Sequence, residues 1–359
     1  MRRRTKTAAL AALALLVLAS LVIAAGAVPI AASGGHWPVT AWLLRFTMRR
    51  SVATRSLAVP APPDLDDPAL VIRGAGHYEG YCRTCHGAPG ARVPPVARAM
   101  TPHPPRLDRS AAELDDEELF YVIRHGVKLT AMPAWPADHR DDEVWSLVAL
   151  VRRMPTLDAA GYRRLVSAAR DAPAAGDAPA IVREACARCH GADGMGRGEA
   201  FPRLAGQRPA YLAASLEAYA EGERASGIMR PVAAELAPED VRAAAAWYAS
   251  RPPMSARPFA VDVPARGERV ATEGLPQDRV PACVHCHGPG EGPRHPLYPL
   301  LEGQAPSYLV AQLRLFRDGH RGGTPFAHVM STAAAHDLDE ADMRAVAAFY
   351  ARGELEAGE

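Results

Sequence analysis

The sequence predicts an all-α chain: three tandem helical modules behind an N-terminal apolar helix. Three observations carry this. A run free of charge from Thr7 to Ser33 follows the basic start MRRRTK. Three blocks of similar size each close on a helical pattern opened by acidic residues: DDEVWSLVALVRRM (141–154), PEDVRAAAAWYAS (238–250) and DEADMRAVAAFYA (339–351). Acid in the first turn is favourable beside the positive end of the helix dipole. Segments with the two-residue alternation of strands are scarce.

Taken in order, residues 1–35 form a signal-anchor or transmembrane helix. About 20 apolar residues cross a bilayer core, and this run is longer than the 7–15 of a cleavable leader. Cleavage near Ala25 or Ala32 is the alternative. Residues 36–65 are an interfacial helix and linker. HWPVTAWLLRFTMRR (36–50) mixes Trp37, Trp42, Leu43, Leu44 and Phe46 with arginines, and reads either as a membrane-surface helix or as a helix packed on the first block. LAVPAPPDLDDP (57–68) is the proline-rich linker into block one, 66–158. A second linker at 172–179 precedes block two, 175–252, and a third at 251–266 precedes block three, 262–355. With 33 prolines in the chain, such linkers are expected to leave the blocks as separate folding units.

Blocks two and three repeat one another. FPRLAGQRPAYLAASLEAYAEGER (201–224) aligns with YPLLEGQAPSYLVAQLRLFRDGHR (298–321) without a gap, and Leu204/Leu301, Gly206/Gly303 and Arg224/Arg321 are among the shared positions.

The six cysteines carry the chemistry. They form three C-x-x-C pairs, each followed at once by histidine: Cys82, Cys85 and His86; Cys186, Cys189 and His190; Cys283, Cys286 and His287. This spacing is that of c-type haem attachment. Two thiols take one haem covalently and the adjacent histidine lies under the iron. A redox dithiol does not require the histidine, and a structural zinc site pairs its C-x-x-C with a second half-site. Three covalent haem c groups are therefore expected, with no cysteine left for a disulfide. The second axial position calls for a soft donor. Met132, Met229 and Met330 stand in equivalent proline-containing or small-residue loops ahead of the last helix, 39–46 residues after their histidines. Met100 in block one and His328 in block three compete with them. The other ring nitrogen of each histidine needs an acceptor. Pro202 and Pro299, each 12 residues on, offer carbonyls without a competing N–H, and Pro104 or Pro105 serves in block one. Gln207, Tyr211, Gln304 and Tyr308 are candidates for contact with haem propionates, with helix start and core packing as the plain alternative.

Each block resembles a class I cytochrome c domain. Blocks two and three resemble the two-haem cytochrome c-four type, on P-x-L-x-G-Q-x-P-x-Y-L and on RGERVATEG (266–274). Block one resembles one-haem class I cytochromes on LTAMPAW. The resemblance implies an electron-transfer protein and no catalysis of its own, with one edge of each haem open to redox partners. The expected role is a carrier in a bacterial respiratory chain. It is a single pass through the inner membrane with its haem domains in the periplasm. It links a quinol-oxidising complex or dehydrogenase to a terminal oxidase or reductase. The alternative is a cytochrome subunit of a membrane dehydrogenase of the alcohol or gluconate type. A net charge of +1 implies no nucleic-acid partner. A peroxidase needs an open iron, against which the three methionines argue.

Overall fold

In a computed structural model, residues 2–28, 30–110, 113–167, 176–288 and 294–353 are described. Among them there is no strand, only two isolated antiparallel bridges, Arg224 with Arg321 and Leu275 with Val280. The part of the second linker up to 175, and the ends of blocks two and three at 175 and 354–355, lie outside the described residues.

Helix α1 (Arg2–Ala24) is free of charge from Thr7 onward and exposed from Arg4 to Ala24. Its 21-residue core, Arg4–Ala24, is about 31 Å long at 1.5 Å per residue, the thickness of a bilayer core. The two ends of helix α2 (Pro38–Arg55) differ. Its C-terminal end packs on the first module through buried Val52 and the Arg49–Glu113 ion pair (2.7 Å). Its N-terminal end leaves Trp37, Val39, Trp42 and Phe46 exposed, with Trp42 stacked on Phe46.

The first module is built on α3 (Pro68–Gly80), α4 (Asp116–His125), α5 (Asp141–Arg153) and α6 (Ala159–Ser167). Asp67 caps α3 by accepting from the Ala69 amide (2.9 Å), with proline at the first helical position. Helices α3 and α5 cross closely because residue 74 is glycine; a Cβ there would overlap the Ser146 carbonyl. On α5, Leu147 and Leu150 are buried against Val71, Ala75 and Tyr78 of α3, while Val144, Val148 and Val151 are buried against Leu119 and Phe120 of α4.

The second module places α7 (Pro209–Glu221) and α8 (Pro238–Ala249) around Val182, Leu212, Ala244, Ala245 and Tyr248. In the third, α9 (Ala265–Thr272), α10 (Pro306–Arg317) and α11 (Glu340–Ala351) enclose Val270, Leu309, Met343, Val346 and Phe349. Gly267 repeats the role of Gly74, since a Cβ would overlap the Ala345 carbonyl.

The modules do not behave as beads on linkers. Buried contacts join all three. The third linker is itself packed: Met254 is buried, and the Phe259 amide donates to Ala351 O (2.9 Å). The Arg203 guanidinium lies 3.9 Å from the Phe259 ring centroid and donates to Gly303 O (2.8 Å). Proline content identified the linkers, but it carried no information about the faces they bring together.

Candidate haem sites

Each C-x-x-C-H forms a single helical turn: Arg83–His86, Ala187–His190 and Val284–His287. Within the turn the second cysteine and the histidine amides reach back to the first cysteine, as in His86 N to Cys82 O (2.9 Å) and His287 N to Cys283 O (3.0 Å). The turn stops on glycine in all three cases, with φ of +70° at Gly87, +75° at Gly191 and +86° at Gly288. Side chains other than glycine are strained there.

The three histidines are held alike. His86 Nδ1 lies 2.8 Å from Pro105 O, His190 Nδ1 2.9 Å from Pro202 O, and His287 Nδ1 2.9 Å from Pro299 O. A carbonyl only accepts, so each Nδ1 carries the proton and each Nε2 keeps its lone pair. Burial pushes all three imidazoles below their ordinary pKa, which favours this neutral form over the hydrogen bond's opposing pull. None of the six thiols is in a disulfide. Burial pushes Cys82 and Cys186 up to about 12 and Cys283 up to about 11.

Met132, Met229 and Met330 are each half-buried. Met132 lies in a loop where its amide donates to Thr130 Oγ1 (3.1 Å) and its carbonyl accepts from Val127 N (3.2 Å). Met229 opens the short helix Met229–Ala234, and its amide donates to Ser226 Oγ (3.0 Å). Met330 starts a turn of π-helix and packs beside Phe316 and Ala327.

The repeat of modules two and three becomes a pseudo-two-fold junction. Gln207 Nε2 donates to Leu300 O and its Oε1 accepts from Leu300 N, both at 2.9 Å. Gln304 Nε2 donates to Arg203 O (2.9 Å) and its Oε1 accepts from Arg203 N (2.8 Å). Both amides are thus committed to backbone across the junction. Beside them, Arg224 donates to Tyr308 Oη (2.6 Å) and Arg321 to Tyr211 Oη (3.1 Å). Burial alone would raise the Tyr211 hydroxyl, but Arg224 and Arg321 outweigh it and bring it down to about 7. The sequence marked the two arginines only as repeated positions. Their meeting across the junction is a tertiary fact.

The family model for "Cytochrome C oxidase, cbb3-type, subunit III" matches residues 69–151, and that for "Cytochrome c" matches 176–252. The chain is 38% identical over 184 residues to the thiosulfate dehydrogenase electron acceptor of Thiomonas intermedia, covering 50% of this chain and 83% of that one. It is 35% identical over 190 residues to cytochrome c4 of Pseudomonas aeruginosa, covering 53% of this chain and 92% of that one.

The chain belongs to the class I c-type cytochromes.

Among solved structures, the thiosulfate dehydrogenase TsdBA of Marichromatium purpuratum matches at 42% identity and a TM-score of 0.44, over 48% of this cytochrome and 37% of that chain. The cofactor of the family is haem c, and the donor sets of this cytochrome fit it. Each offers two thiols on one turn and an imidazole whose free nitrogen is the one left for iron. A second feature also fits. Arg224 and Arg321 are buried, and among the described residues neither has a carboxylate partner; Arg224 Nε has no hydrogen-bond partner. Buried cations without counter-charge suit a cofactor that brings its own carboxylates.

Proposed function

We propose that this cytochrome is a membrane-anchored, periplasmic three-haem electron carrier linking a quinol-oxidising complex or dehydrogenase to a terminal oxidase or reductase. The observation that carries it is the threefold recurrence of one arrangement: a C-x-x-C-H turn ended by glycine, with its imidazole Nδ1 on a proline carbonyl. When bound, haem supplies a one-electron ferric/ferrous couple.

The rest is the work of this chain. Cys82 and Cys85, Cys186 and Cys189, and Cys283 and Cys286 hold the group covalently. His86, His190 and His287 would hold the iron through Nε2, and Pro105, Pro202 and Pro299 fix their tautomer and ring orientation. Met132, Met229 and Met330 would offer the iron its second donor, a thioether, which favours the reduced state and so a high potential. Arg224 and Arg321, flanked by Tyr211 and Tyr308, neutralise propionates at the junction. Helix α1 anchors the chain, and the aromatic end of α2 rests at the lipid surface. No proton or group transfer is required of any residue.

Intact-mass measurement tests this reading. The chain should carry three haems that resist acid–acetone extraction, and two or fewer would remove at least one motif from the account. A second reading, electron acceptor of a dedicated dehydrogenase, draws on the relatives named as thiosulfate dehydrogenase electron acceptors. Comparing its reduction by a thiosulfate-oxidising dehydrogenase with that by a quinol-oxidising complex separates the two.

A further inference from the structure

The first and second modules meet at a surface that a linker alone does not require. From α3, Arg73 Nε donates to Ala200 O (2.9 Å) and Nη2 to Glu199 O (3.2 Å), on the loop that carries Pro202. Next to it, Gly76 leaves room for the Phe201 ring and for Cys189; a Cβ at 76 would stand 2.6 Å from Phe201 Cζ and 3.3 Å from Cys189 Sγ.

The second contact ties the two methionine loops. Glu143, on α5, is 3% exposed. Its Oε1 accepts from Ser226 Oγ (2.6 Å) and Arg140 Nη1 (2.9 Å), and its Oε2 from Gly227 N (2.7 Å) and Trp135 Nε1 (3.1 Å). Ser226 Oγ in turn accepts from the Met229 amide (3.0 Å). Trp135 is three residues beyond Met132, and its indole occupies the space a Cβ on Gly227 would need. A buried carboxylate is costly unless its lone pairs are filled. Here four donors from both modules fill them, so one side chain sets the register of both loops.

Exposure of the thiols follows the same pattern. Cys189 is buried, Cys85 is half-buried, and Cys286 is exposed. The second module is covered by the first at Cys189 and at its methionine loop, and by the third across the glutamine junction. The third leaves Cys286 and Val329 open.

We propose that the first module is the built-in redox partner of the second. Electrons then traverse the modules in chain order, one–two–three, in either direction. Outside partners exchange electrons at the first and third modules only, and Glu143 and Arg73 are positioning residues for the internal step. This rests on the three-haem reading above.

The test uses the full three-haem chain in a Met132→Ala background, which opens the first iron to carbon monoxide. Photolysis of the carbon monoxide form, with only the first iron reduced, releases an electron towards the second module. The expected result is a fast redistribution phase that is lost in Arg73→Glu and in Glu143→Ala and is diminished in Glu143→Gln. In the same variants, amide hydrogen exchange should rise in 69–80 and 199–203. The matching experiment from the third module, in a Met330→Ala background, should be unaffected. Haem count is taken first by mass, so failure of the three-haem reading is seen separately. A fast phase that persists while these segments lose protection would overturn the proposal. So would free exchange of both segments in the parent. If Glu143→Ala does not mature, Glu143→Gln and Arg73→Glu carry the test.

Discussion

Gln304→Ala is the sharpest single probe of the junction between the second and third modules. Gln304 is 4% exposed and holds both the N–H and the C=O of Arg203, across the junction, at 2.8 and 2.9 Å. Truncation leaves both backbone groups buried without a partner. Each such loss costs about 1–3 kcal/mol, so a central value near 3–4 kcal/mol is expected for the pair. For a unit of this size 1 kcal/mol moves Tm by about 2–4 °C, which gives a fall of roughly 6–16 °C in the transition of modules two and three. Gln207→Ala removes the mirror-image bonds to Leu300, but these are only part-buried, and water can replace them. Its effect should therefore be smaller. Gln304→Glu keeps the acceptor that serves Arg203 N but points a second oxygen at Arg203 O. Its deficit should shrink as pH falls, because protonation restores the donor and the new carboxyl's pKa is raised in the folded state. Calorimetry of the three variants beside the parent checks the series. A Gln304→Ala melt within about 1 °C of the parent, the range of a surface change, would refute the claim that this amide holds the junction.

Alanine at Met132, Met229 or Met330 should open one iron each to carbon monoxide, and histidine should lower the potential of one component, since axial ligands span about 0.8 V; a redox titration of each variant reads this. His77 is buried, and burial, with Arg73 and Arg140 nearby, lowers its pKa to about 3. Ser146 spends its own hydrogen on Glu143 O (2.6 Å), so neutral His77 donates from Nδ1 to Ser146 Oγ (3.2 Å). The unfolded chain binds this proton from about pH 6.5 downward and the folded chain only near 3. Stability is thus complete above about 6.5 and falls as pH drops through that window. Urea midpoints at pH 4 and 7 should show His77→Gln with a shallower acid slope by one proton. If α1 is an uncleaved anchor, the mature protein should retain Met1 or Arg2 and sediment with membranes; an N-terminus near Gly34 on a soluble protein would overturn this.

The sequence by itself determined what is local or periodic. An apolar run long enough for a bilayer is a matter of counting. C-x-x-C-H-G is one turn of helix and its terminator, so the turns at Arg83–His86, Ala187–His190 and Val284–His287 follow from adjacent residues alone. The acceptors for His190 and His287 were legible because the repeat puts a proline at the same offset in both. Block one lacks that offset and left Pro104 and Pro105 undecided, and the fold selects Pro105. What the tertiary structure decided is who faces whom. Gln207 and Gln304 recur at matching positions, but a repeat does not say that its two copies bond each other. Glu143 sits among the acidic residues that open α5, where its sequence position calls only for a favourable helix start. Its burial against Ser226 and Gly227 depends on packing between segments 83 and 84 residues apart. Local pattern fixes backbone shape and donor type, but the partner of a buried charge is set by which surfaces meet, and that information is spread over the whole chain.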